Sequence, residues 1–279
     1  MNNQLAKSFL AFLGALALLN AGARCGSAQT FPDKNLEAVV KEALKETKPL
    51  TDESLSRLFV LEASGKTIKD LTGLEKCKNL SQLKLSNNQI ADLKPLKDLT
   101  ELQSLDLASN KIADLAPLAG LTKLQYLELT NNQVAKLDPL AKLTKLFALY
   151  LTNNKVSDLT PLAGLTGLSS LALGNNQVKD LAPLAKVTRL NTLELKENQI
   201  TDLKPLKGQT DLRILMLERN KLTDLTPLVE AVQADAKGDR RWAPYLRLFL
   251  AGNPLSDDAK SKQLAALKAA GVRLEEEKK

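Results

Sequence analysis

The 22 residues from Leu124 to Lys145, LQYLELTNNQVAKLDPLAKLTK, contain the pattern that decides the fold. This frame has leucine at places one, four, six, fourteen and seventeen, asparagine at place nine and proline at place sixteen. A recurrence this regular predicts a repeat architecture. Seven frames follow one another at intervals of 22 residues, beginning at Leu80, Leu102, Leu124, Leu146, Leu168, Leu190 and Leu212.

Each frame predicts one short strand, a corner, a 3₁₀-like turn and a return. The leucines at places four and six alternate as in a strand with one buried face. The proline at place sixteen cannot continue a strand ladder but fits the first turn of a short helix. Stacked frames can bury a continuous apolar column that one frame alone cannot. With 61 leucines in 279 residues, the chain is predicted to be an α/β solenoid with a concave parallel sheet.

Two less regular frames extend the array at its ends. A degenerate frame begins at Leu58 and has Gly73 in the proline place. Another begins at Tyr245 and has Asn253 in the asparagine place. The repeats therefore span residues 58–255, and they predict nine strands.

The asparagines at place nine are predicted to form a structural column. At the corner the backbone groups lose their ladder partners, and an unpaired buried group costs about 1–3 kcal/mol. An amide side chain donates and accepts, so each asparagine can hold the loops of neighbouring repeats. The column comprises Asn88, Asn110, Asn132, Asn154, Asn176, Asn198, Asn220 and Asn253.

Place thirteen usually holds an aspartate just before the helical turn. Such a carboxylate can cap the free amides of the turn. A calcium site is disfavoured because there is one carboxylate per repeat and no clustered oxygen ligands accompany it, so no metal site is predicted. The aspartates are Asp92, Asp114, Asp158, Asp180, Asp202 and Asp224.

Both ends of the solenoid are predicted to carry caps, because its apolar end faces must be covered. Residues 29–57 are expected to form a helical N-terminal cap, since apolar residues recur at helical spacing between Asp33 and Glu46. Residues 256–279 are expected to form a C-terminal cap helix and tail. Ser256 is a good N-cap for this helix, and Gly271 ends it.

An insertion near residues 228–244 interrupts the last repeats. Asn220 and Asn253 lie 33 residues apart instead of 22. Two interpretations of the only tryptophan, Trp242, remain open. It can fold over the last repeats as part of the cap, or it can protrude with the two preceding arginines as an anchor of the kind enriched in binding hot spots.

Residues 1–28 have the layout of a secretory signal peptide. Lys7 precedes an eleven-residue apolar run from Phe9 to Leu19, and small residues allow cleavage after Ala23 or Ala28. A membrane-spanning helix needs about 20 apolar residues, so this run is too short. The sequence therefore predicts export to a secreted, cell-envelope or periplasmic location.

Cleavage changes the charge and the thiol content. Residues 1–28 hold two bases and no acid, so the formal charge falls from +7 to +5. After a cut behind Ala28, Cys77 is the only remaining thiol. It occupies a frame place that usually holds leucine, so it is predicted to be a buried core residue. Cys25 follows the apolar run, but Arg24 departs from a bacterial lipobox; membrane attachment is expected only if Cys25 is lipidated.

Places three and five of each strand alternate away from the buried leucines and are predicted to face the concave surface. Two acids and two tyrosines gather on neighbouring strands near its middle, and an apolar group lies near the far end. With the protruding tryptophan, the candidate partner-binding residues are Asp106, Tyr126, Glu128, Tyr150, Ile214, Met216, Phe249 and Trp242.

Several functional classes are disfavoured by the sequence. The chain has no histidine, which excludes Ser-His-Asp and Cys-His catalysis and histidine-bearing zinc sites. No nucleophile elbow, phosphate loop or HExxH motif is present, so neither an enzyme nor a cofactor is predicted. The pI is about 9.2, but lysines alternate with acids throughout, and no nucleic-acid partner is expected.

The frame resembles the leucine-rich repeats of bacterial internalins, above all in its D-L-x-P-L segment, which reads DLTPL from Asp158 to Leu162. The segment FPDKNLEAVVKEAL, which begins at Phe31, resembles their helical N-terminal cap. The resemblance covers about residues 31–255 and implies a right-handed leucine-rich-repeat superhelix. The internalin immunoglobulin-like domain and LPxTG anchor are not found after these repeats.

These observations predict an exported, non-catalytic recognition module that binds a protein partner through its concave sheet and is a monomer. Two alternatives remain open. One is a structural envelope protein without a specific concave ligand, and the other is a binder of a cell-wall polymer.

Overall fold

The computed structural model describes residues 31–238 and 242–275. The predicted signal peptide, with Cys25, lies outside the described residues. Ten strands form one sheet in which each strand pairs with the next in chain order. The strands are β1 (Val60–Glu62), β2 (Gln82–Lys84), β3 (Ser104–Asp106), β4 (Tyr126–Glu128), β5 (Ala148–Tyr150), β6 (Ser170–Ala172), β7 (Thr192–Glu194), β8 (Ile214–Met216), β9 (Arg247–Phe249) and β10 (Arg273–Glu275).

All the strand pairs are parallel, and their register follows the sequence frame. Leu105 of β3 pairs with Leu127 of β4, and the residues on either side of them pair in the same way. Both leucines are fully buried, as are the other leucines at places one, four and six of the seven regular frames. Stacked in register, they form one apolar column, which confirms the predicted leucine-rich-repeat solenoid.

Each repeat leaves the sheet through a short 3₁₀ helix. Its aspartate works as predicted: Asp158 Oδ1 accepts a hydrogen bond from the Thr160 amide at 2.8 Å, and the other five aspartates make the same contact. In the repeat of Asp224, a longer α-helix takes the place of the 3₁₀ helix. The 3₁₀ helices are Leu74–Lys76, Lys94–Leu96, Ala116–Leu118, Asp138–Leu140, Thr160–Leu162, Ala182–Lys186, Lys204–Leu206 and Ala243–Tyr245.

The asparagine column joins neighbouring repeats at the corners. Asn176 Nδ2 donates to the carbonyl of Leu151 in the preceding repeat (2.9 Å) and to the carbonyl of Leu173 in its own repeat (3.0 Å). Its Oδ1 accepts from the amide of Val156 at 2.8 Å. The remaining column asparagines bridge in the same way. One side chain per repeat thus satisfies backbone groups that have left the ladder.

Two helices cover the first repeat: α1 (Lys34–Leu44) and α2 (Asp52–Leu55). Asp33 caps α1, since its Oδ1 accepts from the Leu36 amide at 3.2 Å. The other carboxylate oxygen accepts from the Lys69 amide at 2.8 Å. This single side chain therefore joins the N-terminal cap to the first repeat.

Gly73 explains why the first frame lacks a proline. Its φ is +105°, in the region that favours glycine, and a Cβ atom at this position would lie 2.7 Å from the ring of Phe31. Phe31 is fully buried. The degenerate frame thus accommodates the aromatic ring that closes the N-terminal end of the core.

The insertion and the C-terminal cap are helical. The helix α3 (Thr226–Lys237) replaces a 3₁₀ turn, and a π-helical turn (Ala259–Gln263) leads into α4 (Leu264–Ala269). Ser256 Oγ accepts from the Ala259 amide at 3.1 Å. Leu267 of α4 is fully buried in the main core, and it therefore covers the last repeat.

The prediction of nine strands is wrong by one. After Gly271, which has a φ of +102°, the chain turns back and β10 pairs in parallel with β9. Glu275 also forms an ion pair with Arg247 at 2.7 Å. The tenth strand carries neither the asparagine nor the proline of the frame, so the repeat pattern gave no sign of it.

Two expectations about the insertion are also corrected. Trp242 is fully buried, so its interpretation as a protruding anchor is wrong; it packs in the core, and its backbone amide donates to Asp235 Oδ2 at 3.0 Å. The two preceding arginines lie outside the described residues. Tyr245, placed by the frame in a leucine position, is 59% exposed, because Leu246 takes the buried position.

We expect Asn176→Ala to lower the free energy of unfolding by about 2–3 kcal/mol, since it leaves buried amide and carbonyl groups unpaired. Asn191→Ala is the matched control, because Asn191 is exposed and makes only a 3.4 Å side-chain contact. Urea unfolding followed by circular dichroism measures both changes. Equal midpoints for Asn176→Ala and the wild type would contradict the role of the column.

Deletion of residues 256–279 should expose the last repeat and cause aggregation, because an uncapped solenoid end presents apolar surface to water. Leu267→Asp should have the same effect through its buried position, whereas Lys268→Asp, at an exposed neighbouring position, should not. Multi-angle light scattering distinguishes monomers from aggregates. A monomeric truncated chain would show that the C-terminal cap is dispensable.

Candidate functional site

The concave face is formed by places three and five of the ten strands. At about 4.8 Å between neighbouring strands, it extends over roughly 40 Å. Seven of the eight candidate partner-binding residues lie on this face and are partly exposed. The eighth, Trp242, does not, because it is buried in the core. The face is therefore a broad surface with two groups of candidate residues rather than a closed pocket.

The first group, here called the central cluster, comprises Asp106, Tyr126, Glu128 and Tyr150. Asp106 of β3 pairs in register with Glu128 of β4, and Glu128 pairs with Tyr150 of β5. The rings of the two tyrosines lie diagonally across β4 and β5, with centroids 5.6 Å apart and a tilt of 51°. The parallel register thus brings together two carboxylates and an aromatic pair from three successive repeats.

Small residues lie beside the tyrosines. Tyr126 of β4 pairs in register with Ala148 of β5, and Tyr150 of β5 pairs with Ala172 of β6. Both alanines are buried although their positions face the concave side, so neighbouring side chains cover them. Each tyrosine therefore has a small apolar residue as its neighbour on the following strand.

Burial and mutual repulsion perturb the central cluster. Removal from water raises the pKa of Glu128, although hydrogen bonds from Thr130 oppose the rise, and the charge of Asp106 adds to it. Burial, followed by the charges of Glu128 and Asp106, raises the pKa of Tyr126 to about 12. Both pKa shifts thus have partial burial as their first cause, with a smaller contribution from neighbouring carboxylates.

The other carboxylates of the concave face are neutralised within the chain. In the residues that the structure describes, neither Asp106 nor Glu128 has a lysine or arginine nitrogen within 4.0 Å. Within this part of the chain, their charges are therefore not offset by an ion pair. The neutralised pairs are Glu62–Lys84 at 2.7 Å, Glu194–Lys196 at 3.2 Å and Glu275–Arg247 at 2.7 Å.

A groove of about 460 Å³ borders the central cluster at the amino-terminal ends of the strands. Its walls include Gln103, Gln125, Tyr126 and Phe147. The ring of Phe147 is 48% exposed. Phe147 occupies frame place two, outside the concave places three and five from which the candidate residues were chosen. The sequence marks it as unusual, because the same place holds glutamine in the two preceding repeats.

The second group, here called the distal patch, comprises Ile214, Met216 and Phe249. Met216 of β8 pairs with Phe249 of β9. The guanidinium of Arg247 lies 5.6 Å from the centroid of the Phe249 ring, and the same guanidinium bonds to Glu275. The distal patch is thus partly covered by a side chain of this protein.

Two features of the described residues concern metal binding and thiol chemistry. No group of three or more cysteine, aspartate or glutamate side chains in them could hold a metal ion. Burial raises the pKa of the Cys77 thiol to about 12, with a smaller effect from Glu75, so the thiol is protonated at neutral pH. None of the helices in residues 31–238 and 242–275 is long and apolar enough to cross a membrane.

Known proteins share both the repeat and the fold. Residues 100–142, 144–186 and 188–230 match the family described as Leucine Rich repeats (2 copies). The structure of internalin C2 from Listeria monocytogenes str. 4b F2365 is 37% identical, with a TM-score of 0.70; the match covers 73% of this chain and 94% of that one. A comparison with proteins of curated function finds no match.

Two further structures extend the likeness. The functional domain of InlJ from Listeria monocytogenes is 28% identical, with a TM-score of 0.63 over 81% of this chain and 52% of that one. A leucine-rich-repeat protein of Leptospira interrogans shares the fold at 22% identity and a TM-score of 0.64, over 81% of this chain and 62% of that one. By its repeat, its sheet and its similarity to internalin C2, the chain belongs to the internalin-like leucine-rich-repeat proteins.

Proposed function

We propose that this protein is an exported, non-catalytic recognition module that binds a protein partner through its concave sheet. Leucine-rich-repeat solenoids present extended concave surfaces of the kind used for binding. The observation that carries the proposal is the central cluster, where a partly exposed aromatic pair adjoins two carboxylates without ion-pair partners in the described residues.

The size and composition of the face support a protein partner. A standard protein interface buries about 800 Å² on each side, and a sheet about 40 Å long can supply such an area. Aromatic residues make up only 4% of the sequence, yet Tyr126 lies on β4, Tyr150 lies on the neighbouring β5 and Phe147 immediately precedes β5. Tyrosine is enriched in binding hot spots because one ring offers both apolar and polar contacts.

Export is part of the same proposal and rests on residues 1–28. We expect the mature chain isolated from its native source to begin after Ala23 or Ala28, because small residues precede both bonds. N-terminal sequencing by mass spectrometry determines the cut. A mature chain that still begins at Met1 would contradict export through a cleaved signal peptide.

Replacing Tyr126, Tyr150 and Met216 together with alanine should weaken capture of the native partner by about tenfold or more, because the substitutions remove partly exposed anchors from both groups. Immobilised protein is incubated with envelope and secreted fractions, and captured proteins are quantified by mass spectrometry. The fold should be unaffected, since these side chains lie outside the core column, and thermal unfolding verifies this.

The matched control replaces Thr122, Thr144 and Thr188 with alanine. These exposed threonines occupy equivalent places on the return segments, outside the sheet. Capture should survive in this control. Equal capture by the concave variant and the wild type would overturn the proposal and favour a structural role, whereas binding of isolated cell-wall polymer alone would favour a polymer-binding protein.

A further inference from the structure

At the distal end of the sheet, a guanidinium group contacts both an aromatic ring and a carboxylate of the same face. Arg247 places its guanidinium 5.6 Å from the centre of the Phe249 ring and donates from Nε to Glu275 at 2.7 Å. An aromatic face and a carboxylate thus hold one arginine between them. Both attractions are general, since ring faces attract cations and a charged hydrogen bond is stronger than a neutral one.

The central cluster has the same two components, but its carboxylates pair with no lysine or arginine among residues 31–238 and 242–275. Tyr126 and Tyr150 supply the rings, and Asp106 and Glu128 supply the carboxylates. The nearest concave base in the register is Lys84, which pairs with Asp106 across β2 and β3. Its ammonium, however, bonds to Glu62 at 2.7 Å, and its charge interaction with Asp106 is weaker than the one with Glu62.

We propose that the central cluster receives an arginine or lysine side chain from an extended segment of the partner protein. The inference rests on the proposed function and specifies the chemistry of the partner. The cation would lie against the tyrosine pair and donate hydrogen bonds to Asp106 and Glu128. A guanidinium fits better than an ammonium, because it stacks on rings and donates to two carboxylates at once.

The charge of the face complements such a partner. Counted over places three and five of all ten strands, five acids face three bases, so the concave positions carry a formal charge of −2. The whole chain carries +7. Negative charge is therefore concentrated on the concave side of a basic protein, where it attracts a basic segment and repels an acidic one.

The adjoining groove can hold the main chain of the segment. Gln103 and Gln125 line it from successive repeats, and their exposed amide groups make no side-chain hydrogen bond within the described residues. An amide side chain donates and accepts, so each can bind a peptide group of an extended chain. Phe147 closes one end of the groove with an exposed ring.

The inference is tested with a capped hexapeptide of alternating arginine and glycine and with the same peptide containing citrulline, which is neutral and similar in shape. Fluorescence anisotropy measures binding to the wild type and to the double variant Asp106→Asn, Glu128→Gln. We expect the arginine peptide to bind about tenfold more tightly than the citrulline peptide. The double variant should lose this difference.

A second double variant, Glu101→Gln, Glu230→Gln, controls for net charge. Both acids lie outside the concave places and pair with lysines in the free protein, Glu101 with Lys123 and Glu230 with Lys207. It should bind the arginine peptide nearly as tightly as the wild type at about 0.15 M salt, where distant charges are screened. Equal losses in the two double variants, equal binding of the two peptides, or no binding to the wild type would each overturn the inference.

The same variants separate this inference from the proposed function. If the tyrosine and methionine variant loses the native partner while Asp106→Asn, Glu128→Gln retains it, the concave sheet binds its partner without a cation in the central cluster. That outcome overturns the present inference and leaves the proposed function intact. If both variants lose the partner and the arginine peptide competes for it, both proposals are supported.

Discussion

The in-register stacking of the leucine column is the constraint on which the rest of the structure depends. Each leucine at places four and six meets its equivalent in the next repeat, so a side chain at place three or five has a fixed neighbour 22 residues away. The asparagine bridges keep this register at the corners, because each amide side chain bonds to backbone groups of two repeats. Small changes at concave positions therefore alter the surface without altering the frame.

This separation of frame and surface explains how much could be predicted from sequence. The frame is local and periodic, so the strands, the capping aspartates and the asparagine corners followed from residue spacing. The arrangement of side chains on the concave face could be predicted as well, because strand alternation and the 22-residue period determine which side chains are neighbours. The pairing of Asp106 with Glu128 and of Glu128 with Tyr150 needed no further information.

The remaining features depended on contacts that the period does not encode. Strand β10 lacks the frame residues, and Trp242 is buried by the packing of an insertion that occurs once. That no base in the described part of the chain pairs with the central cluster also depended on three-dimensional contacts, since Lys84 has acids on both sides in the register and bonds to Glu62. The period of the repeat therefore predicts neither the structure of segments that occur once nor which of two neighbouring acids a base will pair with.

The internalin-like repeats thus combine a buried leucine column with a concave face on which charge is unevenly distributed. Carbodiimide labelling of carboxylates, read by mass spectrometry with and without the native partner, tests the central claim most directly. The account predicts that Asp106 and Glu128 lose reactivity in the complex while exposed acids such as Asp98 and Glu230 keep theirs. Unchanged labelling of Asp106 and Glu128, with protection confined to acids outside the sheet, would contradict recognition through the concave face.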